Sequence, residues 1–245
     1  MRLLLDLGNT RLKWALAQPD GTLSAMQALV PSADPSCWGA LIDHLSTCVI
    51  TQIALSSVAG ASTQALRAVL IQQLPKTVIL EARSVLHCAG VSSGYLLPHT
   101  LGTDRFLALL GAFSSCNSTQ VIAMLGTALT VDVLHANGQH AGGLIAPGPS
   151  LMQTSLHLGT ANLPLTEGRV HALGRSTADA IFSGCHLACA ALIEAVVQDF
   201  PGASLVLSGG AAMQVAPLLK HPARIMPELV LLGLQKFANA AESSQ

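Results

Sequence analysis

Asp6-Leu7-Gly8-Asn9-Thr10-Arg11-Leu12-Lys13-Trp14-Ala15 follows directly on Leu3-Leu4-Leu5, an apolar run that reads as a buried strand. A carboxylate, a glycine, two small polar residues and a lysine therefore arrive as that strand turns. This is the chemistry of a phosphate loop: Gly8 lets backbone N–H groups approach an anion, and Asn9 and Thr10 add donors. Lys13 can offset phosphate charge, and Asp6 can hold a hydrated magnesium ion, which takes one or two carboxylates beside substrate phosphates. The same residues also suit a plain hairpin in which Asp6 and Asn9 bond local backbone, with Lys13 as a solvated edge-strand residue.

Working outward, the rest of the first half alternates. Met1 to about Ala17 gives a strand, the loop and a second strand, and Gly21 and Thr22 mark a turn into a third. Strand-like runs at Val49 to Ser56 and Val78 to Leu80 are separated by helical spacing at Leu41 to Leu45 and Thr63 to Leu74, which Pro75 stops. A second cycle opens at Val121 with strand, Gly126-Thr127 turn and strand through Leu134, and Asn137-Gly138 marks the next hairpin. Gly142-Gly143 and Pro147-Gly148 read as structural turns. A long helix is expected over Ser176 to Phe200, with Ser176 and Asp179 in a capping-box arrangement. Leu205-Val206-Leu207 then runs into Ser208-Gly209-Gly210-Ala211. Asp6-Leu7-Gly8-Asn9 corresponds to Met124-Leu125-Gly126-Thr127, so the pattern argues for a duplicated α/β domain with a nucleotide cleft between the copies.

The 245 residues are 51% hydrophobic and only 10% charged, which assures a large core and suggests that part of the surface is covered in an oligomer. A net charge of −1 without a basic cluster excludes an electrostatic footprint for nucleic acid. Asp6 ends the first apolar run too early for a signal peptide, and the apolar stretches fall short of the roughly 20 residues of a membrane span. A soluble, cytoplasmic protein is expected. The cysteines, at positions 37, 48, 88, 116, 185 and 189, form no C-x-x-C and read as free thiols. The nine histidines show no metal-ligand spacing.

Five motifs then occur in order: D-L-G-N-T-R-L-K at 6–13, Y-x-x-P-x-x-x-G-x-D-R at 95–105, G-T-A-x-T-x-D at 126–132, G-G-x-I-x-P-G at 142–148 and S-G-G at 208–210. Together they resemble type III pantothenate kinase, of the acetate and sugar kinase/Hsp70/actin superfamily. The resemblance implies two similar actin-like (ribonuclease H-like) domains, at 1–117 and 118–245. It further implies ATP-dependent phosphorylation of pantothenate by a homodimer, with Mg2+ and, in the family, a monovalent cation such as K+ or NH4+. Carried across, Asp6, Leu7, Gly8, Asn9, Thr10, Arg11, Leu12 and Lys13 match the first phosphate loop, and Thr127 matches a phosphate contact in the second. Tyr95, Gly102, Thr103, Asp104 and Arg105 match the pantothenate site, with Asp104 as general base. Thr177 matches a pantothenate contact from the partner subunit. Met124 stands where the family usually carries the aspartate associated with the monovalent cation, which puts that cation in doubt.

Each assignment has a structural alternative. Asp104 could simply cap a helix over Phe106 to Phe113, Arg105 could form a surface ion pair, and Tyr95 could bury its ring. Gly209-Gly210 could admit adenine and ribose or only a close helix–strand approach. At the level of function the alternatives are a phosphatase of the same superfamily, or a non-catalytic nucleotide-binding regulator. The kinase reading requires Asp6 and Asp104 to face each other at one site.

Overall fold

In a computed structural model of the chain, residues 1–32, 35–58, 60–113, 118–160, 163–165 and 168–243 are described. They form two compact units, Met1–Ser114 with Glu228–Gln245, and Ser115–Pro227. In chain order, the first holds β1 (Arg2–Leu7), β2 (Leu12–Ala17), β3 (Gln27–Leu29), α1 (Gly39–Ser46), β4 (Gln52–Ser57), α2 (Gly60–Gln73), β5 (Val78–Glu81), the short hairpin β6 (His87–Cys88) and β7 (Val91–Ser92), and α3 (Thr103–Phe113). The second holds β8 (Gln120–Leu125), β9 (Ala128–Leu134), β10 (His140–Pro147), α4 (Pro149–Gly159), α5 (Thr177–Asp199), β11 (Ser204–Ser208), α6 (Ala212–Val215) and β12 (Ala223–Ile225). A last helix, α7 (Leu229–Glu242), belongs to the first unit.

The two main sheets have one topology. The first runs β3-β2-β1-β4-β5 and the second β10-β9-β8-β11-β12, each with three antiparallel strands followed by two parallel ones. Strand alternation divides each face. In β1, Leu3, Leu5 and Leu7 join Leu41 and Leu45 of α1 and Leu66 and Leu70 of α2 in one core cluster. In β8, Val121, Ala123 and Leu125 join Cys189, Ile193 and Val197 of α5 in another.

The domain boundary expected at 117/118 lies outside the described residues, and the C-terminal end differs from expectation: α7 packs on α3, β1 and β4 instead of joining the second unit. Two glycines permit that packing. A Cβ on Gly233 would lie 1.8 Å from Leu107 O, and one on Gly111 would lie 2.2 Å from Leu229 O, so only glycine lets the two backbones meet. Lys236 Nζ donates to Leu110 O at 2.8 Å, placing a cation at the C-terminal end of α3. Burial holds its amine below the usual lysine range.

Other expectations shift at the ends. Gly142 and Gly143 lie inside β10, with a register shift after His140, instead of forming a turn. Helices α4, α6 and α7 have no counterpart among the expected elements. Ser176 does cap α5, its Oγ accepting from Asp179 N at 3.1 Å and donating to Asp179 Oδ2 at 2.8 Å. This 23-residue helix contains an 18-residue window of mean hydropathy 1.9, long and apolar enough by composition to cross a membrane, a stretch that the expectation had not singled out. Its Cys189, Ile193 and Val197 pack against the second sheet, as a core helix does. Cys37, Cys48, Cys88, Cys185 and Cys189 are free thiols, and Cys116 lies outside the described residues. Burial, with Cys185 adding to it, pushes the Cys189 thiol up to about 11, which keeps it protonated and inert.

Candidate active site

The first site is built at the end of β1. Asp6 pairs in register with Lys13 of β2 on one side and with Ser56 of β4 on the other. Residues level across neighbouring strands point to the same face, and this is the face on which α3 and α7 lie. Asp104 stands in the first turn of α3. The Asp6 carboxyl is raised to about 6, first by burial; Lys13 pulls it down, the charge of Asp104 pushes it up, and Ser56 pulls it down. The two acids, remote in sequence, thus act on each other within one unit.

Beside them, Arg105 is buried, not a surface ion-pairing residue. Its Nη1 donates to the Tyr95 hydroxyl at 2.7 Å, and its guanidinium lies 5.5 Å from the Tyr95 ring centroid. Arginine and tyrosine therefore form one polar unit. Gly102 O accepts from Phe106 N at 2.9 Å and Asp104 Oδ1 from Arg105 N at 2.9 Å, which satisfies donors of the first helical turn. Asp104 thus does serve its helix end, and this role leaves its second oxygen for other chemistry. Thr103 is the first residue of α3. The adjoining Leu96 and Leu97 are exposed.

The loop itself departs from the expected cradle. Gly8 N donates to Arg11 O at 3.0 Å and closes the β1–β2 turn, so this N–H is already used. A Cβ on Gly8 would meet only Arg11 O at 3.5 Å, an ordinary contact. Asn9, Thr10 and Arg11 are exposed, while Leu7 and Leu12 are buried anchors at the two ends of the loop.

In the second unit the equivalent turn is shorter, with Gly126 N bonded to Ala128 O at 3.0 Å and Thr127 exposed. Two further turns converge on it. A Cβ on Gly148 would lie 2.2 Å from Gly126 O, and Gly148 N donates to Thr127 O at 2.9 Å. Gly209, at φ +97°, would place a Cβ 2.4 Å from Leu125 O. The Gly-rich segments at 126, 148 and 209 are therefore one backbone cluster. Thr177 opens α5 and is exposed. Asp132 Oδ1 and His140 Nε2 pair at 2.9 Å in the interior of this unit.

The residue missed in the sequence is Ser56. It is fully buried, and its Oγ makes no hydrogen bond. Its only signal is a serine in an otherwise apolar strand, Ile53-Ala54-Leu55-Ser56. Among the described residues no three His, Cys, Asp or Glu side chains cluster as a metal cage. Two electrostatically coupled carboxylates beside a buried hydroxyl nevertheless suit a hydrated magnesium ion carried in by a nucleotide, which needs only one or two carboxylates from the protein.

Two five-stranded sheets of identical order, each flanked by helices, define an α/β protein of the actin-like class. The crystal structure of a conserved Campylobacter jejuni protein, assigned to the Baf family of transcriptional activators, shares this fold with a TM-score of 0.62 at 20% identity, over 98% of this chain and 99% of that one. Within the class, the chain belongs to the type III pantothenate kinase family, whose model matches residues 2–199. Type III pantothenate kinases of Aromatoleum aromaticum and Azoarcus sp. are 39% and 40% identical to it, over 97% and 98% of this chain and 98% and 91% of theirs.

Proposed function

We propose that this chain transfers the γ-phosphoryl group of ATP to a hydroxyl of pantothenate, giving 4′-phosphopantothenate, the first step of coenzyme A synthesis. Family membership supports the activity. The observation that carries the site assignment is the juxtaposition of Asp6 and Asp104 beside Lys13. Phosphoryl transfer asks little covalent work of a protein; positioning and charge neutralisation dominate. Asp104 accepts the hydroxyl proton as the oxygen attacks the γ-phosphorus and the bond to ADP breaks. Asp6 and Lys13, with Asn9, Thr10 and Arg11, hold the phosphates, and magnesium bound through Asp6 supplies charge neutralisation. Arg105, fixed by Tyr95, meets the pantothenate carboxylate in bidentate fashion. In the second unit, Thr127 is a proposed phosphate contact.

Met124 offers a thioether, a soft donor unsuited to a hard alkali ion. Turnover is therefore expected to differ less than about twofold between potassium and sodium salts. A cytoplasmic homodimer in which Thr177 reaches the partner's pantothenate fits the exposed Leu144, Ile145, Leu151 and Leu158 on β10 and α4, beside α5. The test of the activity is ADP release with and without pantothenate. Release that requires pantothenate supports the kinase, release without it makes the chain a phosphatase, and no release makes it a nucleotide-binding regulator.

A further inference from the structure

Among the described residues of the first unit, Trp14 Nε1, His44 Nε2 and Ser56 Oγ are buried without a hydrogen bond, and of these Ser56 stands level with Asp6. Buried hydroxyls nearly always find a partner, yet Ser56 is 0% exposed and its Oγ makes no hydrogen bond of ordinary geometry, acting only weakly on the Asp6 carboxyl beside it. Its neighbour Ser57 is occupied, sharing a hydrogen bond with Thr63. Nor is Ser56 placed at random: Lys13, Asp6 and Ser56 lie level across β2, β1 and β4 and share a face. The Asp6 carboxylate is thus flanked by an ammonium on one strand and a hydroxyl on the other.

We propose that Ser56 is a positioning residue for Asp6, its hydroxyl donating to the Asp6 carboxylate when that carboxylate takes up magnesium-nucleotide. This rests on the kinase reading of the site. The Asp6 carboxylate is repelled by the like charge of Asp104, and Lys13 attracts it from one side. A donor from β4 fixes the second oxygen and leaves the first for the hydrated ion. Second partners of this kind commonly govern metal affinity, and their loss costs about ten- to a hundredfold. Ser56 is also a group that favours the charged form of Asp6.

The test compares wild type with Ser56→Ala, using ADP affinity by calorimetry with and without Mg2+, and the melting temperature of the unliganded chain. Because the hydroxyl makes no hydrogen bond of ordinary geometry in the unliganded chain and acts there only weakly on the Asp6 carboxyl, Ser56→Ala is expected to change the melting temperature little. Its affinity for ADP with magnesium falls about tenfold, while magnesium-free ADP affinity and the KM for pantothenate stay within about twofold. Ser56→Cys, near-isosteric with a weak donor, falls between. The proposal is overturned by a magnesium-ADP affinity unchanged in Ser56→Ala, by equal losses with and without magnesium, or by a large drop in melting temperature, which would make Ser56 structural. Pantothenate-dependent ADP release by the wild type tests the kinase reading separately, so the two failures are distinguishable.

Discussion

The two units share a sheet order but not a chemistry, and the difference lies in a few positions at one strand end. In the first unit, β1 and β2 are joined by Gly8-Asn9-Thr10-Arg11, and the last register pairs are Asp6↔Lys13 and Leu7↔Leu12. In the second, β8 and β9 are joined by Gly126-Thr127 alone, and the corresponding pairs are Met124↔Thr130 and Leu125↔Leu129. The apolar pair anchors both turns. The pair before it is an acid beside a lysine in one unit and a thioether beside a buried threonine in the other. A repeated hydrophobic pattern reproduces the architecture, while the residues at the ends of the central strands differ in charge between the copies.

The comparison can be broken most sharply at Asp104. Asp104→Asn is expected to fold and to lose about two to four orders of magnitude in kcat, read by ADP release, because Asp104 is the proposed acceptor of the hydroxyl proton. Turnover above a few per cent of wild type would remove it as the base. Asp6→Asn abolishes most turnover too, yet it stabilises the unliganded protein. The folded carboxyl titrates near 6 and the unfolded one near 3.8, so the folded state binds the proton more tightly and wild-type stability falls as pH rises between those values. The advantage of Asn therefore grows across that window and levels off above it at about 3 kcal/mol, readable by urea denaturation at pH 4 and pH 8. Met124→Leu, at the equivalent register, should change turnover less than about twofold.

Smaller effects separate the helix packing of the two units. Gly111→Ala, at the α3–α7 crossing, forces a Cβ against Leu229 O and should cost about 3 kcal/mol. In the second unit, Glu194 of α5 accepts from Lys220 N at 2.7 Å and His221 N at 3.1 Å, with His221 Nδ1 2.7 Å away. Burial pushes its carboxyl up, but these partners outweigh burial and hold it below the usual range. A depressed carboxylate stabilises above its unfolded pKa, and that stability is lost as pH falls through the folded one. Glu194→Gln should accordingly cost about 1 kcal/mol at neutral pH and less in acid, as followed by thermal melts. Gly184, inside α5, has nothing within 4 Å of the point where an alanine methyl would stand, so Gly184→Ala should gain about 0.5–1 kcal/mol, read by the same melts.

The sequence by itself determined the strand–turn–strand at each Gly-centred turn, the alternation of strands and helices, the cap at Ser176 and the candidate acids. These follow from periodicity, turn chemistry and short spacings, which act between near neighbours along the chain. Tertiary structure alone decided that α7 belongs with the first unit, that Arg105 is buried, and that Ser56 stands level with Asp6. Each depends on residues far apart in sequence being brought together by strand register or by a backbone approach only glycine permits, and no local pattern carries that information.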